Sequence, residues 1–155
     1  MITLSKLSLA LVLLPFLGIP PYLLSQTKEE FESQFLLKLN EVRATEGVPA
    51  LTIEPKLTAL SQEWSLHLAQ EQKAYHRSSS SLYDFLKTES FGFLSENLHN
   101  SDRGNDPSFV LQRWLHSPVH QKNLLQPKIR CMGISLSQGK DGVWYVVWNG
   151  GAKNP

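Results

Sequence analysis

Two β-rich runs lie near the end of the chain, residues 129–137 and 143–149, and the five residues between them are Gln138-Gly139-Lys140-Asp141-Gly142. A glycine-containing loop of that length between two such runs makes an antiparallel hairpin. Most of what precedes it carries helical spacing. The sequence therefore specifies an α+β class, with helices packed on a small sheet.

Phe31, Phe35, Leu39 and Val42 recur every three or four positions, the period of one helix face, and Gly47-Val48-Pro49 stops that helix. A second stripe runs through Leu57, Leu60, Trp64 and Leu68 and is expected to end near Tyr75. Residues 78–81 are consecutive serines, a loop or a helix start. Residues 91–98 read as a short strand or extended segment, and residues 100–107 have turn composition. Asp106 or Ser108 can cap a helix whose apolar face is Phe109, Val110 and Trp114. Ser117-Pro118 opens a further helical turn that runs through Leu125, before Pro127 ends it.

Residues 1–25 read differently. Lys6 precedes an apolar stretch, residues 7–19, of signal-peptide length, and Pro15 and Pro20-Pro21 would kink and end a helix there. This segment is expected to direct export, either as a signal peptide or as an N-terminal membrane anchor that tethers the protein. With its lysine in front of the run, the body of the protein is placed outside the membrane. The globular domain is then residues 26–155, which carry 14 basic and 14 acidic side chains. A balanced domain without a run of Lys or Arg lacks the electrostatic footprint of a nucleic-acid binder. Cys131 is the sole cysteine, so no intramolecular disulfide can form. Beside Met132 in an apolar stretch, it reads as a packed core residue.

Three short stretches carry the chemistry: Tyr75-His76-Arg77-Ser78-Ser79, Ser95-Glu96-Asn97-Leu98 and Trp114-Leu115-His116-Ser117-Pro118-Val119-His120. Asn123-Leu124-Leu125 and the aromatic hairpin with Trp144, Tyr145 and Trp148 follow them. This ordered set resembles the CAP superfamily, named for cysteine-rich secretory proteins, antigen 5 and pathogenesis-related proteins, whose module is the SCP domain. The compact, disulfide-free bacterial form is the nearest likeness. Leu39-Asn40-Glu41-Val42-Arg43 and Pro49-Ala50-Leu51 fit it as well, and the likeness covers residues 31–150.

The resemblance implies an α-β-α sandwich with a small, mainly antiparallel sheet between helices and a surface cleft. Carried over by position, the cleft residues are His76, Glu96 and His120. A second glutamate of the family falls at Ser117, so a mechanism needing two carboxylates does not carry over. Ser95 and Val119 stand where glycine is usual, which implies a bulkier cleft wall. If His76 and His120 converge, two imidazoles can bind a divalent metal such as zinc, and Glu96 can orient one ring or accept a proton. A catalytic zinc site ordinarily has three protein ligands plus water, so two histidines imply a weakly held ion.

The other histidines are weighed against these. His67 reads as a half-buried or solvent-facing helix residue, and His99 as a surface residue entering a polar loop. His116 precedes His120 by one helical turn, but Pro118 interrupts it. The serine run has nothing around it like a nucleophile elbow. The expected function is an exported binding or interaction module whose cleft takes a lipid, a peptide or a cell-envelope ligand. The alternative is a metal-dependent hydrolase or peptidase using the His76/His120/Glu96 cleft, with Glu96 as general base.

Overall fold

The hairpin is the centre of the fold. In the computed structural model, which describes residues 26–155, β3 (Cys131–Gln138) and β4 (Trp144–Lys153) pair antiparallel from Cys131↔Gly151 to Gln138↔Trp144. The leader expected in residues 1–25 lies outside the described residues. On its other side β4 pairs antiparallel with β2 (Phe91–Ser101), and β1 (Thr52–Ile53) adds parallel to β3, giving the order β1-β3-β4-β2. Two of these strands run past their expected ends. β4 continues four residues beyond Asn149, and β2 takes in Asn100 and Ser101 because Tyr145 and Trp144 lie opposite them.

Five helices complete the domain: α1 (Lys28–Thr45), α2 (Pro55–Glu71), α3 (Ser79–Thr88), α4 (Pro107–Leu115) and α5 (Pro118–Leu124). Their ends carry the expected signals. Thr27 and Glu30 form a reciprocal capping box at the start of α1, and Asp106 caps α4 through Ser108 N–H and Phe109 N–H. α2 ends at Glu71, four residues before Tyr75, because Gln72 turns into the left-handed region with φ 53°. Ser78 caps α3 by accepting from Ser81 N–H, so the serine run is a helix start.

Alternation along β3 and β4 divides the core into two layers. Met132, Ile134, Leu136, Val146 and Trp148 face α1, α4 and α5, where Phe35, Leu39, Val110 and Trp114 are buried. Cys131, Tyr145 and Val147 face the other way, onto Leu57, Leu60 and Leu68 of α2, with Phe85 and Leu86 of α3 beside them. The architecture is an α-β-α sandwich of α+β class. The backbone of α2 comes so close to the sheet that a Cβ on Gly133 would stand 2.0 Å from Thr58 N. Glycine is the residue that permits this approach.

Two buried charges tie these elements together, and Glu32 does so across the sheet. Glu32 of α1 accepts from Thr58 Oγ1 of α2 at 2.6 Å and from Ile134 N–H of β3 at 3.1 Å. Arg43 at the end of α1 donates through Nη1 to Leu124 O and through Nε to Pro49 O at 2.7 Å. A guanidinium on the terminal carbonyls of α5 also suits the negative end of that helix. The Arg43–Leu124 bond helps fix where α5 sits, and α5 carries His120.

Candidate functional site

The site is built on β2, an edge strand. Neighbouring residues of a strand project to opposite faces, so Glu96 and Asn97 reach into different helical layers. Glu96 faces the α2 and α3 side and is almost fully buried, with 3% of its side chain exposed. His76 donates from Nδ1 to Glu96 Oε1 at 2.8 Å, and Arg77 N–H donates to the same oxygen at 3.3 Å. The His76 side chain itself remains 60% exposed.

The segment carrying His76 is clamped on both sides. Before it, Tyr75 O accepts from Trp64 Nε1 at 3.0 Å, and Tyr75 Oη meets His67 Nε2 at 2.5 Å. After it, the buried Arg77 donates to Leu60 O at 2.8 Å and lays its guanidinium 4.7 Å from the Trp64 ring centre. Trp64 is stacked with His67 at 4.5 Å between ring centres, so one tryptophan organises the whole approach. The half-buried position expected for His67 is observed, and its contact is an anchor for Tyr75.

Asn97 organises the opposite wall. Its Nδ2 donates to His120 O at 3.1 Å, and its Oδ1 accepts from Asn123 Nδ2 at 2.8 Å. Asn123 Nδ2 also reaches Glu96 O at 3.3 Å, and Trp114 Nε1 donates to Leu98 O at 2.9 Å. His120, the third residue of α5, is thereby set against β2, 6.4 Å from the Trp114 ring. Burial first, and then the charge of His76, hold the His120 ring below the ordinary histidine range. His76 and His120 are thus both anchored on β2, the first through Glu96 and the second through Asn97.

His99 departs from the expectation of a surface residue in a polar loop. It lies on β2, half-buried, two residues beyond Asn97 and on the same face. Its ring meets Phe109 edge-on at 5.8 Å, and Nε2 contacts Ser101 Oγ at 2.9 Å. Burial, then Arg113, then His120 lower its pKa. The loop reading failed because the strand extends to Ser101, and strand alternation is the signal that would have placed the ring. His116 stays apart: it is exposed and bonds Gln112 O of its own helix at 2.7 Å. Ser117, where the family's second glutamate would fall, is the N-cap of α5 and makes no side-chain cap bond. Val119 is 71% exposed at the front of α5.

Two cavities lie away from this edge. One of about 330 Å³ sits around Arg130, Cys131 and Lys153 at the β1 edge, and one of about 200 Å³ lies between the α1 N-terminus and Trp144. Neither gathers histidines and a buried carboxylate, whereas the β2 edge does. The buried carboxylate that holds a histidine, and not a cavity, marks the candidate site.

The model of the cysteine-rich secretory protein family matches residues 36–149. Among curated protein sequences, none matches the chain. Three solved structures are similar in fold. An outer surface protein of Borrelia burgdorferi is 19% identical, with a TM-score of 0.73, over 83% of this chain and 96% of that one. An extracellular SCP-domain protein of Bacillus anthracis is 22% identical, with a TM-score of 0.69, over 81% of this chain and 41% of that one. A cysteine-rich secretory protein of Staphylococcus aureus is 18% identical, with a TM-score of 0.66, over 83% of this chain and 40% of that one.

Proposed function

The chain belongs to the cysteine-rich secretory protein (CAP) family, and from that premise we propose that it is an exported binding module. Its site at the β2 edge takes a lipid, a peptide or a cell-envelope ligand. The supporting observation is the posture of Glu96. Its carboxylate is turned inward and accepts from both His76 Nδ1 and Arg77 N–H. A carboxylate so engaged orients a ring and is poorly placed to take a proton from a water in the cleft. Ser117 supplies no second acid. The exposed surface of His76, with Tyr75 preceding it in the chain, then offers an imidazole beside an exposed aromatic residue. Native mass spectrometry of protein purified from its own host tests this reading. The expected result is a co-purifying mass that survives a chelator. Protein without ligand that instead shows chelator-sensitive hydrolysis would refute it.

A metal-dependent hydrolase is the second reading, favoured by one specific feature. With Nδ1–H given to Glu96, His76 presents Nε2 as an acceptor, the arrangement that carboxylates impose on metal-binding histidines. His76 Nε2 and His120 would hold a divalent ion such as zinc, which would supply Lewis acidity toward a bound water. Among the described residues no group of three His, Cys, Asp or Glu side chains is arranged to hold an ion, so two imidazoles would hold it weakly.

A further inference from the structure

Three buried polar atoms behind His76 have no partner among the described residues: Glu96 Oε2, Asn149 Oδ1 and Arg77 Nε. They belong to one neighbourhood. Glu96 and Asn149 are cross-strand partners in the β2–β4 ladder, so their side chains share a face with Cβ atoms about 4.5–5.5 Å apart. Arg77 is brought in by its own N–H bond to Glu96 Oε1 and by its guanidinium bond to Leu60 O, one residue from Ser61. Ser61 in turn fixes Asn149: Asn149 Nδ2 donates to Ser61 Oγ at 2.9 Å, and Ser61 Oγ donates to Gly133 O at 3.1 Å. The amide oxygen therefore points where the amide nitrogen does not. It shares its face of the sheet with the second oxygen of Glu96.

Two acceptors cannot satisfy each other, and the third group is a donor. A water molecule has two hydrogens to give and lone pairs to receive, so a single water meets all three needs. We propose that one internal water joins Glu96 Oε2, Asn149 Oδ1 and Arg77 Nε, and that through it Asn149 acts as a positioning residue for the Glu96–His76 pair. The chain of bonds then runs from Gly133 through Ser61, Asn149 and the water to Glu96 and His76. With both oxygens of Glu96 engaged, the carboxylate cannot rotate away. His76 keeps its proton on Nδ1 and its Nε2 toward the cleft. This deepens the reading of the same site. It rests on Glu96 orienting His76 and not on any metal, so it stands or falls separately from the ligand and zinc experiments.

Two metal-free NMR measurements test it. In the unmodified protein, Arg77 Hε should show a cross-relaxation contact with a water of long residence, and the His76 ring nitrogens should report the Nδ1–H tautomer in excess. Asn149→Leu, close in volume, should lose the water contact and that tautomer excess. Ser65→Ala removes the buried Ser65–Ser137 contact in the same layer. It should lower the melting temperature while leaving both signals unchanged, which separates positioning from packing. The absence of a long-lived water at Arg77 Hε in the unmodified protein overturns the proposal even if Asn149→Leu does not fold. An Asn149→Leu variant that folds and keeps the tautomer excess overturns it as well.

Discussion

Glu96 and Asn97, adjacent on β2, hold the two histidines of the site from opposite faces of one strand. Glu96 takes His76 Nδ1 at 2.8 Å, and Asn97 takes His120 O at 3.1 Å. The first bond acts on a ring and the second on a backbone. His76 is thus oriented directly, whereas His120 is positioned through the start of α5. Loss of Glu96 should free a side chain; loss of Asn97 should shift a helix.

Zinc should raise the melting temperature above about pH 7, where unperturbed imidazoles are neutral, and only when the ion is in excess, growing as RT ln(1 + [L]/Kd). His76→Ala and His120→Ala should each abolish the gain, and the double variant should match either. Glu96→Gln should leave a smaller gain. His116→Ala is the proper control, because that exposed ring bonds only its own helix. A double variant stabilised by zinc as strongly as the parent protein would sink the shared site.

Acid should destabilise the fold through His120 and His99. Both rings have lowered pKa values, chiefly through burial. The unfolded chain therefore takes up protons first. The contribution is fully present above the unfolded value of ~6.5 and is lost as the pH falls through the lower folded values. The melting temperature should be level near pH 7 and decline below about pH 6.5, more shallowly in His120→Gln and His99→Gln. A double variant with the parent's slope would count against this assignment.

Trp114 is expected to be the costliest residue of the α4–α5 layer. It is 1% exposed, meets Phe35 edge-on at 5.6 Å and donates to Leu98 O. Trp114→Ala should cost about 3–5 kcal/mol in denaturant unfolding. A loss below about 1 kcal/mol would show that the core assignment overstates its role.

Cys131 should be inert. Burial, then the charge of Glu54, push its thiol up, with Lys153 opposing, and Sγ contacts Gly151 O at 3.3 Å. The native protein should resist alkylation at neutral pH, and its melting temperature should be indifferent to reductant. Cys131→Ala should cost about 1–3 kcal/mol. Rapid modification of the folded protein would contradict this.

A fusion of residues 1–30 to a reporter active only outside the cytoplasm should score positive, since Lys6 and the apolar run form an export segment. A silent reporter that is nonetheless made in full would end the export reading.

Much of this was legible in the chain because it repeats. Phe31, Phe35 and Leu39 announce α1, and the β-branched and aromatic run at residues 143–149 announces β4. What escaped lacked a period or depended on a distant partner. β1 has two residues, extended because Cys131 and Met132 pair with them. α3 was visible only at its serine cap; its Leu82, Phe85 and Leu86 are half-buried and make a weak stripe. His99 looked like a loop residue because β2 owes its last residues to β4. Asn149 sits in an apolar strand, and its link to Glu96 exists only through register. The motif residues His76, Glu96 and His120 were legible, but Trp64 and Arg77, which hold His76 in place, were not read as such.

The bonds from Asn123 to Glu96 O and from Trp114 to Leu98 O have a further effect. Among the described residues no strand pairs with the outer side of β2, and an edge strand of 11 residues invites another chain to zip onto it. Those two side chains occupy two of its carbonyls, so the layer that presents His120 also helps insulate the sheet against self-recruitment. Damage there would release a sticky margin as well as a binding site. Variants at Asn123 would then announce themselves first as oligomers on a sizing column, before any defect in ligand capture was measured.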